Sequence, residues 1–216
     1  MLEQNEVRKF NPEQVAGLAE IGWTFQMEVL PLSVDQLLER PESRRLFGTV
    51  IPLGQTREVV PVARQVAIQA AVAQNGVFIP DQVFIPGSAN LSFDGQFEKA
   101  EDYARDLKKR NLKTGTLDGV DFGMDRTSVV AQLDLEHQRR IGRRLLVGGF
   151  TSTIDEVYVK CVNFDIDETS DKKPRFLGHA QVGRVWERNR LTVLGGGKLG
   201  NPFVKVLLVA TPAGDR

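Results

Sequence analysis

The feature that most constrains this protein is the stretch from Leu191 to Val209. A strand-like run enters a loop with four glycines in six residues (Gly195, Gly196, Gly197 and Gly200), and Phe203-Val-Lys-Val-Leu-Leu-Val209, the most apolar segment of the sequence, leaves it. Glycine lets a backbone approach a ligand closely, which makes this loop the first candidate for a site. The pattern G-x-G-x-x-G is formally satisfied. A dinucleotide site also needs a helix N-terminus behind the loop and an acid about 20 residues further on. Here Asn201-Pro202 leads into a strand-like run instead, and Lys198 is not followed by Ser or Thr as a Walker-type phosphate loop requires. Two readings remain: a wide turn between strands, or a backbone cradle for phosphate with Lys198 as a point charge.

Elsewhere the patterns alternate between helix and strand. Asn11-Pro-Glu-Gln14 and Ser33-Val-Asp-Gln36 each carry a capping box, so a short helix follows each. Trp23, Phe25, Met27 and Val29 alternate with polar residues as in a half-buried strand. The alanine-rich run 61–74 is open between helix and strand: Val66, Ile68, Ala70 and Val72 alternate as in a strand before the hairpin signal Asn75-Gly76, while a helix ending at Asn75-Gly76 is preferred because alanine is depleted in strands. Phe97 to Arg110 is an amphipathic helix, acidic early and basic late as the helix dipole prefers. Residues 114–126 read as a glycine and aspartate loop. Residues 128–144 suit a long helix or a strand followed by a turn, and 156–164 suit a strand. Residues 175–188 are open between helix and strand, with Phe176, Ala180, Val182 and Trp186 on one face and two glycines favouring strand. A final strand is expected over 203–210. Together these predict one α+β domain over 1–216, a mostly antiparallel sheet with several amphipathic helices, and residues 1–21 as an N-terminal arm and short helix.

The charge pattern narrows the function. Lys plus Arg and Asp plus Glu number 28 each, so the formal charge is zero and a strongly basic binder of nucleic acid or membrane is not indicated. Cys161 stands alone, which suits a reducing compartment or a virion interior. The one basic cluster is Arg139, Arg140, Arg143 and Arg144; on a helix it presents four guanidiniums to phosphate, or a solvated face balanced by Asp134 and Glu136. Asp118, Asp121 and Asp125 are either turn-capping residues or oxygen ligands for a hard cation. His137 beside Glu136 reads as a structural histidine sooner than an acid-base group. Two histidines and one cysteine supply no zinc motif. No residue is assigned a catalytic role, and no metal or small-molecule cofactor is implied.

Three stretches together resemble the RAMP superfamily, the RNA-binding backbone subunits of CRISPR effector complexes. Val83-Phe-Ile-Pro-Gly-Ser88 before an amphipathic helix is similar to that family's I-P-G-S segment. Asp125-Arg126-Thr127, which the family follows with a strand, is similar to its central D-R-x-T region. Leu194-Gly-Gly-Gly-Lys-Leu-Gly-Asn201 is similar to its C-terminal glycine-rich loop. The resemblance implies a ferredoxin-like fold, RNA as partner, and a helix over 175–188.

The expectation is therefore a non-enzymatic structural subunit of a larger assembly (virion, injection machine or ribonucleoprotein), cytoplasmic or in a virion. Its partners are copies of itself and other subunits, with no membrane. The alternatives are a RAMP-like RNA-binding subunit, with Gly195, Gly196, Gly197, Lys198, Gly200 and the four arginines on phosphates, and an enzyme with an acidic metal site.

Overall fold

Local capping places the first helices where the sequence expects them. The computed structural model describes residues 8–41, 51–53, 56–57, 64–68, 83–110, 115–142, 145–146, 157–167, 175–185, 190–194 and 203–214. In α1 (Pro12–Glu20) the Gln14 amide N–H donates to Asn11 Oδ1 at 2.8 Å, and the Gln14 side chain accepts from Asn11 N–H at 3.0 Å. Ser33 and Gln36 make the same reciprocal pair at the start of α2 (Val34–Glu39). The long helix α3 (Phe93–Arg110) begins four residues before the expected Phe97, and Ser92 Oγ accepts from Gly95 N–H at 3.2 Å in its first turn. The described part of 128–144 lies in a helix, α4 (Thr127–Ile141), stopped by Gly142 in the left-handed conformation at φ 74°.

The first sheet contains β1 (Phe25–Val29), β4 (Arg64–Ile68), β10 (Val209–Pro212) and β5 (Val120–Gly123) in the order β1-β4-β10-β5. The described part of the expected 61–74 helix is therefore strand: β4 pairs antiparallel with β1 from Phe25↔Ile68 to Val29↔Arg64. The reason lies in its distant partners. Val66 and Ile68 face one core, while Ala67 faces the other beside Ala100, Ala104 and Ala210. Ala67 shares this second core with alanines of α3, and the pairing of β4 with β1 and β10 outweighs the weak strand preference of alanine. Residues 120–123 correct the expected loop over 114–126, being strand β5 paired with β10.

The second sheet is ordered β2 (Ile51–Leu53), β8 (Arg190–Leu194), β7 (Arg175–Val185), β6 (Val157–Asp167), β3 (Thr56–Arg57), with β9 (Val204–Lys205) running parallel to β6. Most neighbours in the two sheets are antiparallel, so the molecule is α+β as expected. Strand β7 occupies the stretch for which the resemblance implies a helix. Likewise, α4 follows Asp125-Arg126 where that family has a strand. Strand β6 continues to Asp167, beyond the expected end at 164, and Asp165 and Asp167 there pair with β7.

The expected single strand over 203–210 is two short ones on different sheets. Val204 and Lys205 join the second sheet; Val209 onward joins the first. Between them Leu207 bridges Phe84, the Ile85 N–H donates to Val206 O at 2.9 Å, and the Val206 N–H donates to Ser88 Oγ at 3.0 Å. Leu207 and Val209 enter one core while Val206, Leu208 and Ala210 enter the other. A segment buried on both sides must be apolar at every position, which explains the composition of this run.

Helix α4 lies between the layers, against β1 and α2 on one side and β6 and β7 on the other. Every described side chain from Thr127 to Leu135 is buried, and so is His137. This buried stretch must satisfy its polar groups internally. Gln132 does so by pairing with the backbone of Leu30, accepting from its N–H at 2.8 Å and donating to its carbonyl at 3.0 Å. Asp134 Oδ1 accepts from the N–H groups of Leu145 and Leu146 at 3.0 and 3.1 Å. His137 packs on Phe25 with ring centroids 5.3 Å apart.

Candidate ligand-binding cleft

Strand β5 leads into the turn Met124-Asp125-Arg126 and then into α4, and this turn joins the two sheets. Asp125 is its hub. Its carboxylate takes an ion pair from Arg64 on β4, both side chains being buried. Asp125 Oδ1 accepts from the Arg126 N–H at 2.8 Å, and its carbonyl accepts from Val162 N–H of β6 at 3.1 Å. Burying two charges is costly unless they pair and their remaining valences are used. Here the carboxylate is held from both sides.

Above this pair opens a cavity of about 320 Å³ lined by Arg64, Phe97, Ala100, Glu101, Phe122, Gly123, Met124, Asp125, Arg126 and Val162. Its walls come from α3, from the end of β5 and from β6. Phe97, stacked on Phe93 with centroids 6.0 Å apart, stands 41% exposed beside it. A small cavity with apolar walls and a few convergent charges is the usual form of a small-molecule site. The charges fall into two kinds. Arg64 and Asp125 neutralise each other at the junction of the sheets. Glu101 is exposed, Arg126 is half-buried, and neither side chain has an ion-pair or hydrogen-bond partner among the described residues.

Neither described arginine of the proposed phosphate cluster, Arg139 or Arg140, lines this cavity, and of the acids proposed for a cation only Asp125 does. Gly195, Gly196, Gly197, Lys198 and Gly200 lie outside the described residues, as do Arg143 and Arg144. Arg139 and Arg140 sit on the last turn of α4, and both pair with Glu136; Arg139 Nε donates to its carboxylate at 2.7 Å. The Arg139 hydrogen bond holds the Glu136 carboxyl below the ordinary glutamate range against partial desolvation, with Arg140 adding to it. Arg140 also donates to Gln26 O at 2.7 Å and lies 5.5 Å over the Phe25 ring. Arg140 is thereby tied to β1, while Arg139 stays exposed with its surface pair to Glu136.

Asp121 pairs with Lys108 at 3.5 Å while Asp125 pairs with Arg64, so the acids proposed for a cation turn to different partners. Among the described residues no three His, Cys, Asp or Glu side chains group as metal ligands would. The Val83–Ser88 segment forms a turn with Gly87 at φ 67°, and Gln96 ties it to β9, its Nε2 donating to Ser88 O and Val204 O at 2.9 Å each. Buried Lys160 on β6 has its pKa pushed down, chiefly by desolvation.

Sequence reasoning missed Arg64, Phe97, Glu101 and Arg126 as one group. The motif at Asp125-Arg126-Thr127 was its only local signal. Among the described residues no helix is long and apolar enough to cross a membrane. Comparison with protein-family models, with curated proteins and with solved structures returned no match.

Proposed function

We propose that this protein is a non-enzymatic structural subunit of a larger homo- or hetero-oligomeric assembly. The observation that supports it is the difference between the two edges of the first sheet. An exposed sheet edge is a template for another strand, and folds that do not use one block it. The outer edge of β1 is blocked by α4. Gln132 pairs with Leu30 and Arg140 with Gln26, eight helical residues against four strand residues. The lengths match, since eight residues of helix rise about 12 Å and four of strand about 13 Å. The opposite edge, β5, has no strand beyond it among the described residues. An assembly that adds a strand at β5 accounts for both edges.

Balanced charge agrees with this reading, since it leaves little repulsion between copies. The test is mass by light scattering before and after nuclease treatment. The expected result is a discrete assembly well above the 24.0 kDa of one copy and indifferent to nuclease. Monomer at every concentration overturns the proposal. An assembly that dissolves with nuclease favours the RNA-binding alternative.

A further inference from the structure

We infer that the cavity between α3, β5 and the start of α4 is a binding site for a free α-amino acid with an apolar side chain. The inference stands independently of the assembly reading and starts from the charges. Arg126 and Glu101 line one cavity, carry opposite charge, and pair neither with each other nor with any other described side chain. Unpaired charges of both signs around an apolar chamber complement a ligand that carries both signs on an apolar body. The buried Arg64–Asp125 pair reinforces this. Its two charges compensate each other, so the chamber beneath the rim is close to neutral and favours an uncharged group.

The chamber's chemistry fits the side chain of such a ligand. Ala100, Phe122 and Met124 are buried and apolar, Val162 is partly buried, and Phe97 is a partly exposed aromatic ring. A volume of about 320 Å³ is near the small end of small-molecule sites, which run from roughly 300 to 1,000 Å³. That admits one amino acid and excludes a nucleotide cofactor. In the bound state the ligand carboxylate meets the Arg126 guanidinium and the ligand ammonium meets Glu101. The side chain lies against Phe97, Phe122 and Met124. The N-terminus of α4, which Arg126 leaves without a side-chain cap, adds partial positive charge on the carboxylate side.

The test is calorimetric titration of the full-length protein with L-phenylalanine and L-leucine, alongside N-acetyl-L-phenylalanine and L-phenylalaninamide. The first two are expected to bind. The acetylated compound lacks the cation and the amide lacks the anion, so each is expected to bind at least about tenfold more weakly, as for a lost charged hydrogen bond. Glu101→Gln is expected to weaken L-phenylalanine and leave the acetylated compound unchanged. Arg126→Gln is expected to weaken L-phenylalanine and leave the amide unchanged. Neither side chain has a partner among the described residues, so both variants should melt with the parent, and the ligand comparison distinguishes recognition from damage. No binding of either amino acid at millimolar concentration overturns the inference. So does equal binding of the modified compounds, or of the two variants.

Discussion

Gln132 offers the sharpest test of how α4 is built into the fold. Its carboxamide makes both of its hydrogen bonds to one residue, Leu30, in the manner of a neighbouring strand. Gln132→Ala removes both. Each is worth about 1 kcal/mol net, and the unpaired Leu30 groups together with the vacated space add a comparable amount, for a loss of about 2–4 kcal/mol. For a domain of this size that lowers Tm by about 4–16 °C. Urea unfolding should show a lower midpoint with an unchanged slope, since the exposed area on unfolding is the same. Amide exchange should quicken at Leu30 and not at Leu18.

Gln132→Glu adds a pH signature. The carboxylate keeps the acceptor for Leu30 N–H but cannot donate to Leu30 O, and burial disfavours its charge. Its folded pKa is therefore raised, the folded state binds the proton more tightly, and the defect should shrink as pH falls. A Gln132→Ala stability loss below about 0.5 kcal/mol, the scale of ordinary surface substitutions, would refute the claim that α4 seals the β1 edge.

Four further outcomes follow. Arg64→Met or Asp125→Leu alone should cost about 3–5 kcal/mol in urea unfolding by stranding a buried charge, and the double variant should cost clearly less than the sum. Glu136 has a folded pKa held low by Arg139 first and then Arg140, so its stabilisation is present above the unfolded glutamate value and is lost as pH falls through the folded one. Glu136→Gln should flatten the stability profile below about pH 4.3, read by melting at stepped pH. Desolvated Lys160 has a lowered pKa, so the unfolded protein binds more protons and stability should rise with pH on the alkaline side; Lys160→Met should abolish that rise and melt higher at pH 7. Gly17→Ala should destabilise α1 by about 1–3 kcal/mol despite better helix propensity, because its Cβ would stand 2.5 Å from Thr116 Oγ1 and 2.7 Å from Thr116 Cβ.

What was legible in the sequence was local. Both capping boxes, the alternation of Trp23 to Val29 and the charge order of α3 act between residues a few positions apart, and the structure has all three. In β4 the alanine content favours helix, and what makes it strand is distant: pairing with β1 and β10, with Ala67 in the same core as Ala100 and Ala104 of α3. Helix α4 was ambiguous because it is buried on every side from Thr127 to Leu135. Gln132, Asp134 and His137 interrupt its apolar period, each serving a partner elsewhere: Leu30, the Leu145–Leu146 amides and Phe25. The terminal apolar run read as one strand since its passage between two sheets leaves no mark beyond uniform burial. The cleft was hidden for a similar reason. It draws on residues 64, 97–101, 122–126 and 162, and no window of sequence contains them together.

In the assembled protein, β5, which has no strand beyond it among the described residues, is expected to receive one. Amide exchange on the assembled form, isolated by size and compared with the dissociated subunit, tests it most directly. Slowed exchange is expected along Val120–Gly123 on assembly, with no change along Phe25–Val29, which α4 already covers. Protection at β1 instead, or identical exchange at β5 in both forms, would contradict it.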